Sequence, residues 1–296
     1  MGDFNGIVVI NKEKGFTSHD AVNVVRKIFD MRKVGHTGTL DPEATGVLPI
    51  CLGKATRVSD LIMVSDKEYI AGLKLGIKTD TQDIWGTVIE HSDKEVSEEE
   101  LASAIKSFVG EYDQIPPMYS AIKIDGKKLY ELARQGKEVE RKSRRVSIYY
   151  AEILELKKDE ALIKVGCSKG TYIRTLINDI GDRLGTFACM TSLQRTKSGV
   201  FDISDAHTLD ELKNIKENQR LSDVLYNADY VFSSLEKIVL SDELKERFLN
   251  GAKSTVENDV GRYRVYDSRE VFLGIGYVEK DKNRNVLKTE KNFYVS

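Results

Sequence analysis

Residues 31 to 46 carry no hydrophobic period, and this break sets the order of the elements around it. Gly35, Gly38 and Gly46 punctuate the stretch, with Asp41 and Pro42 between them. Such a composition makes a loop whose glycines take positive φ or let the backbone approach a ligand closely. Before the break, Gly6-Ile7-Val8-Val9-Ile10 is a short apolar run closed by Asn11, which reads as a buried strand. Thr17 with Asp20 then resembles a capping pair, and Ala21, Val24, Val25 and Ile28 recur at helical spacing. Beyond the break, strands are expected at Val47 to Leu52, Lys67 to Leu75 and Gly86 to Glu90, with a helix at Ala55 to Met63.

Ser97 with Glu100 caps a further helix running to about Phe108. From Tyr112 to Arg145 the chain carries Pro116-Pro117, Gly126 and Gly136, a pattern expected of an excursion from the core. Val146, Ile148 and Tyr150 alternate, as do Leu162 and Lys164, so the chain returns to sheet. A helix should begin at Thr171 and end at Leu184, with Ile173, Leu176, Ile177 and Ile180 on its apolar face. After Asn227 come short strands, one helix at Asp242 to Asn250 and frequent turns. The expected fold is mixed α+β, with a domain over residues 1–230 and a small mainly-β domain over 231–296.

The 296 residues, 41% hydrophobic and 31% charged, suit a globular chain with one large core and an appended domain. No apolar run approaches the roughly 18 residues of a membrane span, and Met1 to Asn5 lacks the regions of a signal peptide, so a cytoplasmic location is expected. Cys51, Cys167 and Cys189 are widely spaced and odd in number, as expected of reduced, buried thiols. With only His19, His36, His91 and His207 beside them, no segment offers zinc-ligand spacing, and no metal is expected. Gly53-Lys54-Ala55 is not a phosphate-binding loop, Gly35-His36-Thr37-Gly38 is not a dinucleotide fingerprint, and no Gly-x-Ser-x-Gly elbow occurs. Net charge is −2, yet between Lys123 and Arg145 nine basic residues face four acidic ones, a local excess suited to phosphate contacts.

Asp41 before Pro42 would, alone, be a turn or cap residue. Its surroundings change that reading. Gly35-His36-Thr37-Gly38-Thr39-Leu40-Asp41-Pro42-Glu43-Ala44-Thr45-Gly46-Val47-Leu48 closely resembles the catalytic motif of the TruB-type pseudouridine synthases, which isomerise uridine 55 in the T-arm of tRNA. Lys67-Glu68-Tyr69, Thr79-Asp80-Thr81-Gln82-Asp83, Pro116-Pro117-Met118-Tyr119-Ser120-Ala121, Cys167-Ser168-Lys169-Gly170-Thr171-Tyr172-Ile173-Arg174 and Leu193-Gln194-Arg195 resemble that family's blocks in its order. The match covers about residues 6 to 200.

The resemblance implies a core with a long central, mainly antiparallel sheet and a PUA-like RNA-binding domain at the C-terminus. It implies Asp41 as nucleophile, ionised when it attacks, with Arg174 as partner, since a guanidinium holds a carboxylate through paired hydrogen bonds at any working pH. Tyr69 and Tyr172 would line the pocket, Tyr69 against the uracil and near its C5 proton. Leu193 would pack under the base, Asp83 would organise the pocket, and His36 would help extrude the uridine. Taken singly, each of these has a plain structural role as well: strand packing for the tyrosines, core for Leu193, a turn for Asp83, an ordinary ion pair for Arg174. The reaction rearranges bonds within one nucleotide, so no cofactor is expected. The basic excursion, about residues 113–145, would grip the T-arm and favours a stand-alone enzyme without guide RNA, expected to be a monomer. A non-catalytic RNA-binding or tRNA-folding module is the alternative; a carboxylate hydrolase finds no positive support.

Overall fold

The computed structural model describes residues 2–124 and 126–294; Met1, Asp125, Val295 and Ser296, which enter the readings above, lie outside them. Among the described residues nine strands form one sheet. Its spatial order is Gly6–Lys12, Thr45–Leu52, Ala188–Ser198, Lys67–Leu75, Glu160–Cys167, Arg144–Lys157 and Gly110–Gln114, with Val34–His36 beside Thr45–Leu52 and Phe201–Asp202 beside Ala188–Ser198. Every pairing is antiparallel except one. Thr45–Leu52 and Ala188–Ser198 run parallel and meet only at Gln194 opposite Thr45 and Arg195 opposite Gly46. The sheet is thus two antiparallel halves joined by a two-residue seam, and the glycine-rich segment ends at that seam.

Gly46 explains the seam's closeness. Its φ is +101°, and a Cβ there would lie 2.2 Å from the Arg195 carbonyl oxygen, which only a residue without a side chain avoids.

The helix Ser18–Phe29 covers one half of the sheet. A full capping box between Thr17 and Asp20 starts it, Asp30 in the left-handed conformation ends it, and Ala21, Val22, Val25, Ile28 and Phe29 are buried. The larger of these side chains contribute ~1.5–3 kcal/mol each by leaving water. The helix Leu209–Glu217 packs beside it in the same core. On the other half, Glu98–Lys106 (capped by Ser97 and Glu100) and Ile173–Leu184 enclose a second core with Ala71, Leu73, Ile163 and Val165.

Several boundaries differ from expectation for local reasons. The 31–46 segment contains a short strand, Val34–His36, because its backbone finds partners at Ile50 to Leu52. The expected Ala55 to Met63 helix is a 3-10 turn over Gly53–Val58 followed by one short helix, Ser59–Met63. The buried Lys67 ammonium ends it by donating to the carbonyls of Ile62, Met63 and Ser65 at 3.1, 2.8 and 2.5 Å. The excursion leaves the sheet after Gln114 and rejoins at Arg144, those two residues being opposite each other. The helix expected from Thr171 starts later: Tyr172 is an extended N-cap, so it begins at Ile173.

The second sheet runs Glu236–Leu240, Gly261–Asp267, Phe272–Asp281, Arg284–Asn292 and Ser254–Val256, with the helix Asp242–Leu249 against it. Phe272 stacks on Phe293 with Phe232 tilted against both and, with Ile275, these rings join Ile7, Val9, Val47 and Cys51 of the large sheet in one core. The three cysteines are buried and free, and burial pushes the Cys51 and Cys167 thiols up to about 12. Among the described residues no helix is long and apolar enough to cross a membrane.

Candidate active site

The segment carrying Asp41 is tied down on both sides of that residue. The Ser18 hydroxyl, at the start of the first helix, donates to the Leu40 carbonyl at 3.2 Å and accepts the Leu40 N–H at 2.9 Å. The Pro42 carbonyl accepts from the Gly15 N–H at 2.9 Å and from Lys12 Nζ at 3.1 Å. Lys12 is fully buried, and its ammonium also donates to the Glu13 and Phe16 carbonyls at 2.9 and 2.7 Å. Three acceptors use its three N–H bonds. Burial nevertheless lowers its pKa to about 8, against the opposing pull of Asp41 and Glu43. Upstream, Arg195 spans the seam, donating from Nε to the Val47 carbonyl at 2.7 Å and from Nη2 to the Gly38 carbonyl at 3.3 Å.

With its flanks fixed, Asp41 presents a half-exposed carboxylate to Arg174. Arg174 Nε lies 3.1 Å from Asp41 Oδ2, and Nη1 lies 3.5 Å from Asp83 Oδ2. The guanidinium is itself held: Nη1 donates to the Thr81 carbonyl at 3.1 Å and Nη2 to the Tyr119 carbonyl at 2.9 Å. Its side chain is only 7% exposed, so this is a buried cation shared by two carboxylates and two carbonyls. A fork of five fixed N–H donors serves such a set where a lysine ammonium would not. Asp83 is the more enclosed carboxylate. It accepts from the Thr81 hydroxyl at 2.7 Å and the Trp85 N–H at 3.2 Å. Burial raises its pKa in spite of these bonds and of Arg174.

The floor of the site is the sheet beside the seam. Arg195 stands opposite Tyr69, and Leu193 opposite Ala71, so Tyr69, Leu193 and Arg195 share one face. Tyr69 and Leu193 are partly buried and pack against the cores of both halves. Burial pushes the Tyr69 phenol above its ordinary value, the Arg195 charge and hydrogen bond acting the other way. Burial likewise raises Tyr172, which feels both Arg174 and Asp41. Both phenols are neutral at neutral pH. Gln114 fixes Tyr172 through the backbone, its amide oxygen accepting the Tyr172 N–H at 2.8 Å and its amide nitrogen donating to the carbonyl at 3.0 Å.

The structure therefore brings Asp41, Arg174 and Asp83 into one charged cluster, with Tyr69, Tyr172 and Leu193 around it. His36 stands apart from that pairing. It is on a strand rather than in a loop, its Nδ1 accepts the Gly38 N–H at 3.3 Å, and burial together with Arg195 lowers its pKa, so the ring is neutral. Sequence reasoning missed Lys12, Ser18 and the bracing role of Arg195. Lys12 and Ser18 carried no signal, because what joins them to the Asp41 segment is a bond to the backbone of Pro42 or Leu40, over 20 positions away. Arg195 was within a quoted block, yet nothing local assigns it to Gly38 and Val47.

Two family models divide the chain. Residues 26–173 match the N-terminal domain of TruB family pseudouridylate synthases, and residues 174–239 match the tRNA pseudouridylate synthase B C-terminal domain. Fold and site together place the chain among the pseudouridylate synthases. It is 46% identical to the tRNA pseudouridine synthase B of Alkaliphilus oremlandii, over 96% of this chain and 97% of that protein. It is 44% identical to the one from Clostridioides difficile, over 98% and 99%. The chain belongs to the TruB family. Among solved structures, it superposes with a TM-score of 0.72 on a chain in the crystal structure of a Cbf5–Nop10–Gar1 complex, at 28% identity, covering 98% of this chain and 85% of that one.

Proposed function

We propose that this protein converts uridine 55 in the T-arm of tRNA to pseudouridine, with Asp41 as the nucleophile. The observation that carries this reading is the half-exposed Asp41 carboxylate, paired at 3.1 Å with a buried Arg174 that four acceptors hold in place. The reaction breaks the C1'–N1 glycosidic bond, turns the uracil and rejoins C1' to C5. The C5 proton leaves, N1 gains a proton, and no net electrons move. Asp41 attacks either C1' or C6, and both routes need its carboxylate aimed at the reacting carbon, the orientation that Arg174 holds. A uridine inside a folded loop must first be extruded. The flat face of Tyr69, with Leu193 beneath and Tyr172 at the side, suits the flipped uracil. Burial keeps Tyr69 neutral, so it assists removal of the C5 proton only as a relay, its hydroxyl passing its own proton to a further acceptor as it takes up the one from C5. His36, neutral and close to Arg195, takes the space the uridine leaves.

Residues 115–124 and 126–143 stand outside the large sheet and carry most of the basic excess, which supports their gripping the T-arm. Arg145, by contrast, is paired with Glu111 and Asp113 at 3.3 and 3.2 Å and is part of the sheet edge. We assign residues 1–230 to catalysis and 231–296 to a PUA-like RNA-binding domain, in keeping with the second sheet's start at Glu236. The near full-length match to proteins named tRNA pseudouridine synthase B supports tRNA as the substrate, and we propose a monomeric, cytoplasmic enzyme working without guide RNA.

The test is release of tritium from [5-³H]uridine in a tRNA transcript. The unmutated protein should release it, and Asp41→Ala should release none while still binding the transcript. Binding without release by the unmutated protein would leave an RNA-binding or tRNA-folding module instead.

A further inference from the structure

The protein has a single tryptophan, Trp85, and it is 45% exposed. Isolated surface aromatics need no explanation, but this one is wired to the catalytic cluster. Its backbone N–H, not the indole, donates to Asp83 Oδ1 at 3.2 Å, and the other oxygen of that carboxylate faces Arg174. Across the ring, 5.2 Å from its centroid, lies Lys14 Nζ, which also pairs with Glu43 Oε2 at 3.3 Å. Lys14 precedes Gly15, whose N–H holds the Pro42 carbonyl, and Glu43 is two residues past Asp41. A half-exposed indole and an ammonium whose side chain is 62% exposed therefore sit beside the Asp41–Asp83 cluster, the indole on a residue whose backbone holds Asp83 and the ammonium on the residue before Gly15.

The geometry points to Trp85 as a stacking platform for an unpaired base next to the target uridine, with Lys14 contacting the adjoining phosphate. This deepens, and rests on, the proposed reaction. Extruding one nucleotide from a loop leaves its neighbours without a stacking partner, and aromatic side chains beside the pocket are the usual substitutes. The target base has its own surface in Tyr69 and Leu193, so the indole outside it is free for a flanking base. An ammonium already drawn to the ring face can move to a phosphate as the base arrives.

Because there is one tryptophan, its emission reports the contact directly. A T-arm stem-loop RNA, with the target as 5-fluorouridine or uridine, should quench Trp85 saturably. Trp85→Ala should weaken binding about 5- to 150-fold, the range that loss of one base–aromatic stack produces. Trp85→Phe should recover most of it. An abasic residue at one loop position flanking the target should weaken the unmutated protein equally and add nothing in Trp85→Ala. Lys14→Ala should lower the log–log salt slope by about 0.7, one single-strand phosphate contact. The platform is overturned if the RNA is bound and modified while emission is unchanged and Trp85→Ala binds within twofold, or if no abasic position removes the difference. It falls together with the proposed function if the unmutated protein neither binds nor modifies the stem-loop.

Discussion

Replacing Arg174 by methionine keeps the length of the side chain and removes the cation that two carboxylates share. Four interactions disappear, at 3.1 and 3.5 Å to Asp41 and Asp83 and at 3.1 and 2.9 Å to the Thr81 and Tyr119 carbonyls. The larger penalty falls on Asp83, whose side chain is 15% exposed and would keep a charge with no counter-ion. Breaking a buried pair on one side costs about 3–5 kcal/mol. At a urea slope of about 3 kcal/mol/M, the unfolding midpoint should fall by about 1 to 1.7 M. Asp83→Asn placed in that background should restore about 1–3 kcal/mol, since no charge is then stranded. Asp41 is half exposed and loses aim more than stability, so tritium release should drop at least about 100-fold, or about 2.7 kcal/mol on the barrier. Arg174→Lys separates the two effects. It returns the charge and much of the stability, but a single ammonium cannot span Asp41, Asp83 and both carbonyls, so turnover should stay low. Urea titrations followed by circular dichroism, beside the tritium assay, measure the three variants and the parent. If Arg174→Met unfolds within 1 kcal/mol of the parent, or Asp83→Asn brings no recovery, Arg174 is not the counter-charge described here.

Lys12→Met removes the donor to three carbonyls, so it should destabilise by about 2–4 kcal/mol and slow tritium release about tenfold or more by freeing Pro42; a variant with parental urea midpoint and rate would show that Lys12 does not brace the loop. Gly46→Ala would force a Cβ to within 2.2 Å of the Arg195 carbonyl oxygen at a φ of +101°, and a loss of about 3 kcal/mol or more is expected in thermal or urea unfolding; a loss under 1 kcal/mol would mean the seam can open without cost. Asp179 supplies a pH test. Burial, with Asp182 adding, pushes it up to about 6 from an ordinary 3.8, so the folded protein binds more protons between those values and stability falls as pH rises through them. Asp179→Asn should therefore match the parent near pH 4 and exceed it by about 1–2 kcal/mol at pH 7, the figure reduced for the solvent Asp179 still touches. Equal stability at both pH values would refute this.

What the sequence by itself determined are the elements whose signals lie within one or two turns of chain. Thr17 with Asp20 and Ser97 with Glu100 announced two helices that begin with those capping boxes, and the alternating run Lys67 to Leu75 is a strand with those limits. Such patterns are legible because a helix cap or a strand face is made by neighbours in sequence. Asp41, Arg174 and Asp83 could be singled out only by family resemblance, since an aspartate in a glycine-rich turn has no local mark of chemistry. The tertiary structure alone decided that Arg174 bridges both carboxylates, that Lys12 is buried under Pro42, that Arg195 braces Gly38 and Val47, and that His36 sits on a strand away from the charged cluster. It also decided the parallel seam at Gly46 and Arg195. Each of these joins groups that lie 14 to 157 positions apart. Backbone carbonyls look identical in every sequence, so which of them a buried cation will find is settled only when the sheet halves close.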